Sequence, residues 1–178
     1  MIRWLLAALL LAGCPQARPA YPHALSAASP RPMPLAALTG ADGKPFSLAS
    51  YQGKWVWLYF GYASCPDVCP TTLGKLADEY RRLKHPEKVQ VLFVSVDPAR
   101  DRPAAVGKAA VHYHPAFAGV VGDKPALDAL TAALGTHYGT EAKGGVTHPD
   151  LVYVLDPQGR AVATYMPGAA IAEDFEQL

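Results

Sequence analysis

The sequence predicts an α/β sandwich with parallel strands in its middle and an antiparallel edge. Three features lead there. Trp55–Phe60 (WVWLYF) and Val89–Val96 (VQVLFVSV) are continuous apolar runs rich in aromatic and β-branched residues, the pattern of strands buried on both faces. Between them Leu73, Leu76, Ala77, Tyr80 and Leu83 recur at helical spacing. Near the end, Leu151–Leu155 and Ala161–Tyr165 flank Asp156-Pro157-Gln158-Gly159, a strong hairpin turn. Strand, helix, strand, helix and closing hairpin is the order of such a sandwich.

In chain order, Met1-Ile2-Arg3 supplies a positive start and Trp4–Ala12 a short apolar run. That run is roughly half of the ~20 residues that span a bilayer, so it reads as a signal peptide. Leu11-Ala12-Gly13 before Cys14 resembles the bacterial lipobox, in which the cysteine is lipidated and becomes the first residue. The plainer alternative is an ordinary signal peptide with a chance cysteine. Residues 1–13 are thus expected to be a lipoprotein signal peptide. Residues 14–34, with six prolines between Pro15 and Pro34, are expected to be a semi-extended tether, and 35–178 the folded domain. This implies a domain held by lipid on the outer side of a membrane in the bacterial cell envelope, away from the cytosolic thiol pool.

Within the domain, Thr39-Gly40-Ala41-Asp42-Gly43-Lys44 carries the turn chemistry of a hairpin. After the Gly61–Cys69 loop, Pro70 stands as the expected first helical residue. Pro103–Tyr113 and Pro125–Leu134 read as further helices, Phe117–Val121 as a short strand, and Ala169–Leu178 as a closing helix.

Composition narrows the function. Hydrophobic residues make up 51% of the 178 and charged ones 17%, an ordinary globular balance. Sixteen Lys+Arg face fifteen Asp+Glu, and the leader takes Arg3 with it, leaving 15 against 15. No basic excess is present to neutralise a row of phosphates, which argues against nucleic acid as a partner. Three cysteines are too few for a disulfide scaffold.

The chemistry concentrates in Gly61-Tyr62-Ala63-Ser64-Cys65-Pro66-Asp67-Val68-Cys69-Pro70, directly after a buried strand and at the opening of a helix. Two cysteines four apart within a regular helix lie ~5–6 Å apart at Cβ, too far for a relaxed disulfide. With Cys65 on the loop and Cys69 at the helix start, the sulfurs can approach and either form a disulfide or share a metal ion. The helix N-terminus is expected to lower the pKa of Cys69. Thiolates select soft ions such as Cu(I) or Zn. The alternative is a structural pair without chemistry, but the C-terminal end of a strand is where open α/β sheets place their sites.

Phe60–Leu73 (FGYASCPDVCPTTL) resembles the copper-site signature of the Sco/SenC family, and Val94–Asp101 (VSVDPARD) resembles that family's second block. Thr147-His148-Pro149 matches the place of the family's metal-binding histidine, and the similarity runs from about Leu35 to Tyr165. The resemblance implies a thioredoxin-like three-layer sandwich with an N-terminal β-hairpin and a C-terminal antiparallel hairpin. It also implies one copper, as Cu(I) or Cu(II), held by Cys65, Cys69 and His148, with Cys65 and Cys69 forming the disulfide of the oxidised form. Pro149 departs from the family, whose members more often carry a small polar residue there.

Other residues are weaker candidates. His112 and His114 read as surface histidines, and His137 as a gate or spare ligand. Asp97 and Asp101 read as turn residues able to support the site, Asp67 as an exposed turn residue, and Met166 as core. Trp55, Trp57, Tyr59 and Phe60 read as a core aromatic cluster.

The family reading makes the protein a copper chaperone assisting assembly of the dinuclear copper centre of cytochrome c oxidase, with subunit II as acceptor. Another extracytoplasmic copper chaperone or a thiol reductant would be a further partner. The alternative is a thiol–disulfide oxidoreductase using Cys65 and Cys69 as its redox pair. Nothing beyond the fold marks a peroxidase, and a sensor would lack an output module.

Overall fold

The computed structural model describes residues 21–140 and 145–176. The leader, Cys14 and the first part of the expected tether lie outside the described residues. The chain runs β1 (Ser26–Pro32), β2 (Leu38–Gly40), β3 (Pro45–Phe46), β4 (Trp55–Gly61), α1 (Val68–Arg82), β5 (Val89–Ser95) and α2 (Pro103–Tyr113). It continues through β6 (Ala118–Gly122), α3 (Lys124–Ala133), β7 (Gly139–Thr140), β8 (Val146–Thr147), β9 (Val152–Leu155), β10 (Arg160–Tyr165) and α4 (Ile171–Asp174).

Eight strands form one sheet in the order β1-β10-β9-β4-β5-β6-β2-β3, and β7 and β8 make a separate ribbon. The centre is parallel: β4 pairs with β5 from Trp55↔Val89 to Gly61↔Ser95, and β5 pairs with β6. On the other side of β4, β9 runs antiparallel with Tyr59↔Val152. This places the residues just before β9 at the C-terminal end of β4, where the cysteine loop begins.

Strand alternation divides the core. Trp57, Tyr59, Val91, Phe93, Val152 and Val154 face a layer that includes Leu73, Leu76, Tyr80, Val106, Ala110 and Phe175. Val56, Leu58, Phe60, Leu92, Val94 and Leu155 face Ala126, Leu127 and Leu130 of α3. The sheet is therefore the middle of three layers, with α1, α2 and α4 on one face and α3 on the other. Trp57, Tyr59 and Phe60 are fully buried, and Trp55 packs edge-on against Phe175 at 5.0 Å between centroids.

Three boundaries differ from expectation. The tether assigned to residues 14–34 contains strand β1, which pairs antiparallel with β10 from Ser26↔Thr164 to Pro32↔Arg160. All seven residues of β1 are exposed, which is why no apolar period marks it. An edge strand needs donors on one side only, so it tolerates proline, and the register shifts between Ala27 and Arg31, a span containing Pro30. Helix α1 begins at Val68, ahead of Pro70, so Cys69 sits inside its first turn. The closing helix is only the four residues of α4.

Candidate metal centre

The cysteine loop leaves β4 at Gly61 and is pinned from the connection between β5 and α2. Asp101 Oδ2 accepts the Ala63 N–H at 2.8 Å and the Ser95 hydroxyl at 2.6 Å. Ser95 Oγ in turn accepts the Asp97 N–H at 3.1 Å. Asp97, itself buried, is paired with Arg100, whose guanidinium stands 5.9 Å over the Tyr62 ring. Asp97 and Asp101, readable from sequence only as turn residues with a possible supporting role, hold the loop that carries Cys65.

His148 follows β8 and arrives at this loop from 79 residues beyond Cys69. Its Nε2 lies 3.3 Å from Cys69 Sγ, and its Nδ1 lies 3.3 Å from the Pro149 carbonyl oxygen. That oxygen can only accept, so Nδ1 carries the proton and Nε2 presents its lone pair to the sulfur. The ring is flanked edge-on by Tyr59 and Tyr62, each 6.0 Å away between centroids. No peptide bond among the described residues is cis, so Pro149 follows a trans bond and the imidazole still reaches the cysteines. The donor atoms of Cys65, Cys69 and His148 all lie within 4.8 Å of one another, with both cysteines buried. Both are free thiols.

The electrostatics reverse the expectation for Cys69. Burial pushes its thiol up to about 12, helped by its bond to Cys65. Burial also opposes ionisation of Cys65, but hydrogen bonds from Cys69, from the backbone at Asp67 and Cys69, and from Tyr62 outweigh it and lower its pKa. The Cys69 N–H donates to Cys65 Sγ at 3.4 Å. The first turn of the helix therefore acts on Cys65, three residues ahead of its start, because its free amides point back toward the loop while the Cys69 side chain is buried in the core. Burial holds His148 below the usual histidine value, against the raising effects of Pro149 and Asp150, which keeps the imidazole neutral.

Two sulfurs and one neutral imidazole converging from a loop, a helix turn and a strand entry form a soft donor set, suited to Cu(I) or Zn. Gly61 makes room for it: a Cβ there would lie 2.9 Å from Cys69 Sγ and 2.7 Å from the Phe93 ring.

The remaining candidates fall outside the donor group. Asp67 is exposed and precedes α1 without a side-chain capping bond. His112 and His137 are exposed, and His114 packs against Tyr80 and Phe117 at 4.7 and 5.4 Å between centroids. Met166, expected in the core, is 52% exposed because β10 ends at Tyr165 and the chain turns outward. Tyr59, Tyr62, Thr72 and Asp150 went unrecognised as site residues. Thr72 lies three after Cys69 on α1, a spacing that shares a helix face, and Asp150 lies two after His148; those were the available signals.

A thioredoxin-like sheet with two cysteines at the end of a central strand and a histidine delivered by the neighbouring antiparallel strand defines a class of thiolate–imidazole metal sites. The chain belongs to the SCO1/SenC family, which it matches over residues 36–178. The solution structure of apo Sco1 from Thermus thermophilus is 37% identical, with a TM-score of 0.75 over 87% of this chain and 94% of that one. ScoI from Bradyrhizobium japonicum, solved with copper bound, is 28% identical, with a TM-score of 0.72 over 82% and 96%. The mitochondrial protein SCO2 of Saccharomyces cerevisiae is 33% identical over 133 residues, 70% of this chain and 44% of the yeast protein. A Stutzerimonas stutzeri relative, also 33% identical, is covered over 66% of its length.

Proposed function

We propose that this protein is a copper chaperone that holds one copper ion through Cys65, Cys69 and His148 and assists assembly of the dinuclear copper centre of cytochrome c oxidase, with subunit II as acceptor. The observation that carries the reading is the convergence of these three donors within 4.8 Å, with His148 Nε2 facing Cys69 Sγ. Copper-bound relatives of the same fold support the choice of metal. Two thiolates and an imidazole suit three-coordinate Cu(I), and a further weak ligand would complete a Cu(II) site. Handing copper on by ligand exchange needs few ligands and a reachable sulfur, and the Cys65 loop supplies the outermost one. Lipidation at Cys14 would hold the domain at the outer side of the membrane and raise its effective concentration near a membrane-bound acceptor.

Anaerobic Cu(I) titration of the reduced protein against a competing chelator tests this. One tightly held copper is expected, lost in Cys65→Ser and in Cys69→Ser; stoichiometric binding that survives both substitutions overturns the assignment.

The asymmetry of the two thiols favours a second reading, thiol–disulfide exchange. The Cys65 thiolate would attack an acceptor disulfide, forming a mixed disulfide and releasing one acceptor thiolate. Cys69, once deprotonated, would attack Cys65 Sγ and release the second, so two electrons pass to the acceptor and a Cys65–Cys69 disulfide remains. An extracytoplasmic thiol reductant would restore the pair. The same pair could prepare acceptor cysteines before metallation.

A further inference from the structure

The residues behind the donors include one group that the copper reading leaves without a role. Asp150 lies in the 148–151 connection between β8 and β9, two residues after His148. One of its carboxylate oxygens, Oδ1, accepts from the Tyr59 hydroxyl at 3.0 Å and from the Thr72 hydroxyl at 2.7 Å. Tyr59 belongs to β4 and is fully buried; Thr72 belongs to α1 and is 1% exposed. A single oxygen thus joins the strand that leads into the cysteine loop, the helix that carries Cys69 and the connection that carries His148. We propose that Asp150 is a positioning residue, which holds the His148 imidazole toward Cys69 by anchoring its loop to Tyr59 and Thr72.

The path from anchor to ligand is short and stiff. Pro149 stands between Asp150 and His148, and its ring fixes φ, so displacement at Asp150 passes to the histidine backbone instead of being absorbed between them. The Pro149 carbonyl also accepts from His148 Nδ1, which orients the ring from the same segment. Tyr59 contributes twice, through its hydroxyl to Asp150 and through its ring edge against the imidazole. Thr72 is three residues after Cys69, so the two side chains share one face of α1. Partners behind a ligating histidine set its orientation, and losing them typically costs tenfold or more in metal affinity. The inference rests on His148 being a copper ligand.

The test uses the full reduced chain and three readouts: Cu(I) affinity by chelator competition, the electron paramagnetic resonance spectrum of the Cu(II) form, and the His148 imidazole NMR signals of the metal-free protein. Asp150→Asn keeps an acceptor oxygen and is expected to stay within about twofold of wild type with an unchanged spectrum. Asp150→Ala is expected to weaken Cu(I) binding by about tenfold, to shift the Cu(II) spectrum and to move the imidazole signals of the metal-free protein. Thr72→Val removes one donor and is expected to do part of this, and adding it to Asp150→Ala should cost nothing more in copper affinity. Should Asp150→Ala not fold, Thr72→Val and Tyr59→Phe carry the same comparison. Wild-type affinity, spectrum and imidazole signals in Asp150→Ala overturn the positioning role while His148→Ala still loses copper. Wild-type affinity in His148→Ala removes the histidine as a ligand and overturns both claims.

Discussion

Gly61 leaves no room for a side chain beside the donor atoms. A methyl group there meets Cys69 Sγ at 2.9 Å and Phe93 at 2.7 Å, and both neighbours are buried. Gly61→Ala is expected to destabilise the fold by about 1–3 kcal/mol through overpacking and to weaken copper binding by displacing the Cys69 sulfur. Urea denaturation and chelator competition on the same variant check both. The thiols themselves give a second prediction. With Cys65 lowered and Cys69 pushed up to about 12, alkylation near neutral pH should label Cys65 faster, by about tenfold or more. Peptide mass spectrometry over a pH series reads this directly; equal rates would contradict the asymmetry. At the residue scale the sequence singled out Cys65, Cys69 and His148 by their types and neighbours, and the fold brings their donor atoms within 4.8 Å of one another. It assigned the favoured thiolate to Cys69, because position in the helix was legible and the direction of the free amides was not.

Among the elements, the cysteine loop depends on the connection between β5 and α2, which carries Asp101. Asp101 satisfies the Ala63 amide and the Ser95 hydroxyl together, and Ser95 is 1% exposed. Asp101→Ala leaves these groups without their acceptor and is expected to cost about 1–3 kcal/mol, with looser copper binding as the loop gains freedom. Denaturant unfolding gives the first quantity and copper competition the second. The edge strand β1 makes a different prediction. It pairs on one side only and buries none of its side chains, so its amides should exchange hydrogen much faster than those of β4 and β5. Protection in β1 equal to that of β4 would mean it is covered in solution. Strands β4 and β5 were legible almost residue for residue because each is a continuous apolar run buried on both faces, and helix α2 because Pro103 opens it and Val106 and Ala110 recur at helical spacing. Strand β1 was not, because proline-rich extended chain looks the same free in water or paired at an edge.

For the molecule as a whole, pH reports the site through stability. Burial lowers the pKa of His148, and burial followed by the charge of Arg81 lowers that of His114, both from the usual 6.5. Below about pH 6.5 the unfolded chain binds protons that the folded state refuses at these positions, so their contribution to stability falls as the pH drops. His23 acts in the opposite sense: its bond to Asp174 raises its pKa, and its contribution is full in acid and fades as the pH rises. The expected outcome is that His148→Ala loses less stability than wild type between pH 7.5 and 5.5, measured as urea midpoints. The sequence by itself determined the α/β alternation, the paired cysteines at the end of a central strand, and the family, since each is written in local residue types and spacing. Tertiary structure decided what those residues do to one another. The antiparallel seat of β9 on β4 carries His148 across 79 residues to Cys69, and one carboxylate oxygen of Asp150 ties strand, helix and loop behind it. Both are contacts between elements distant in the chain, which no local pattern encodes.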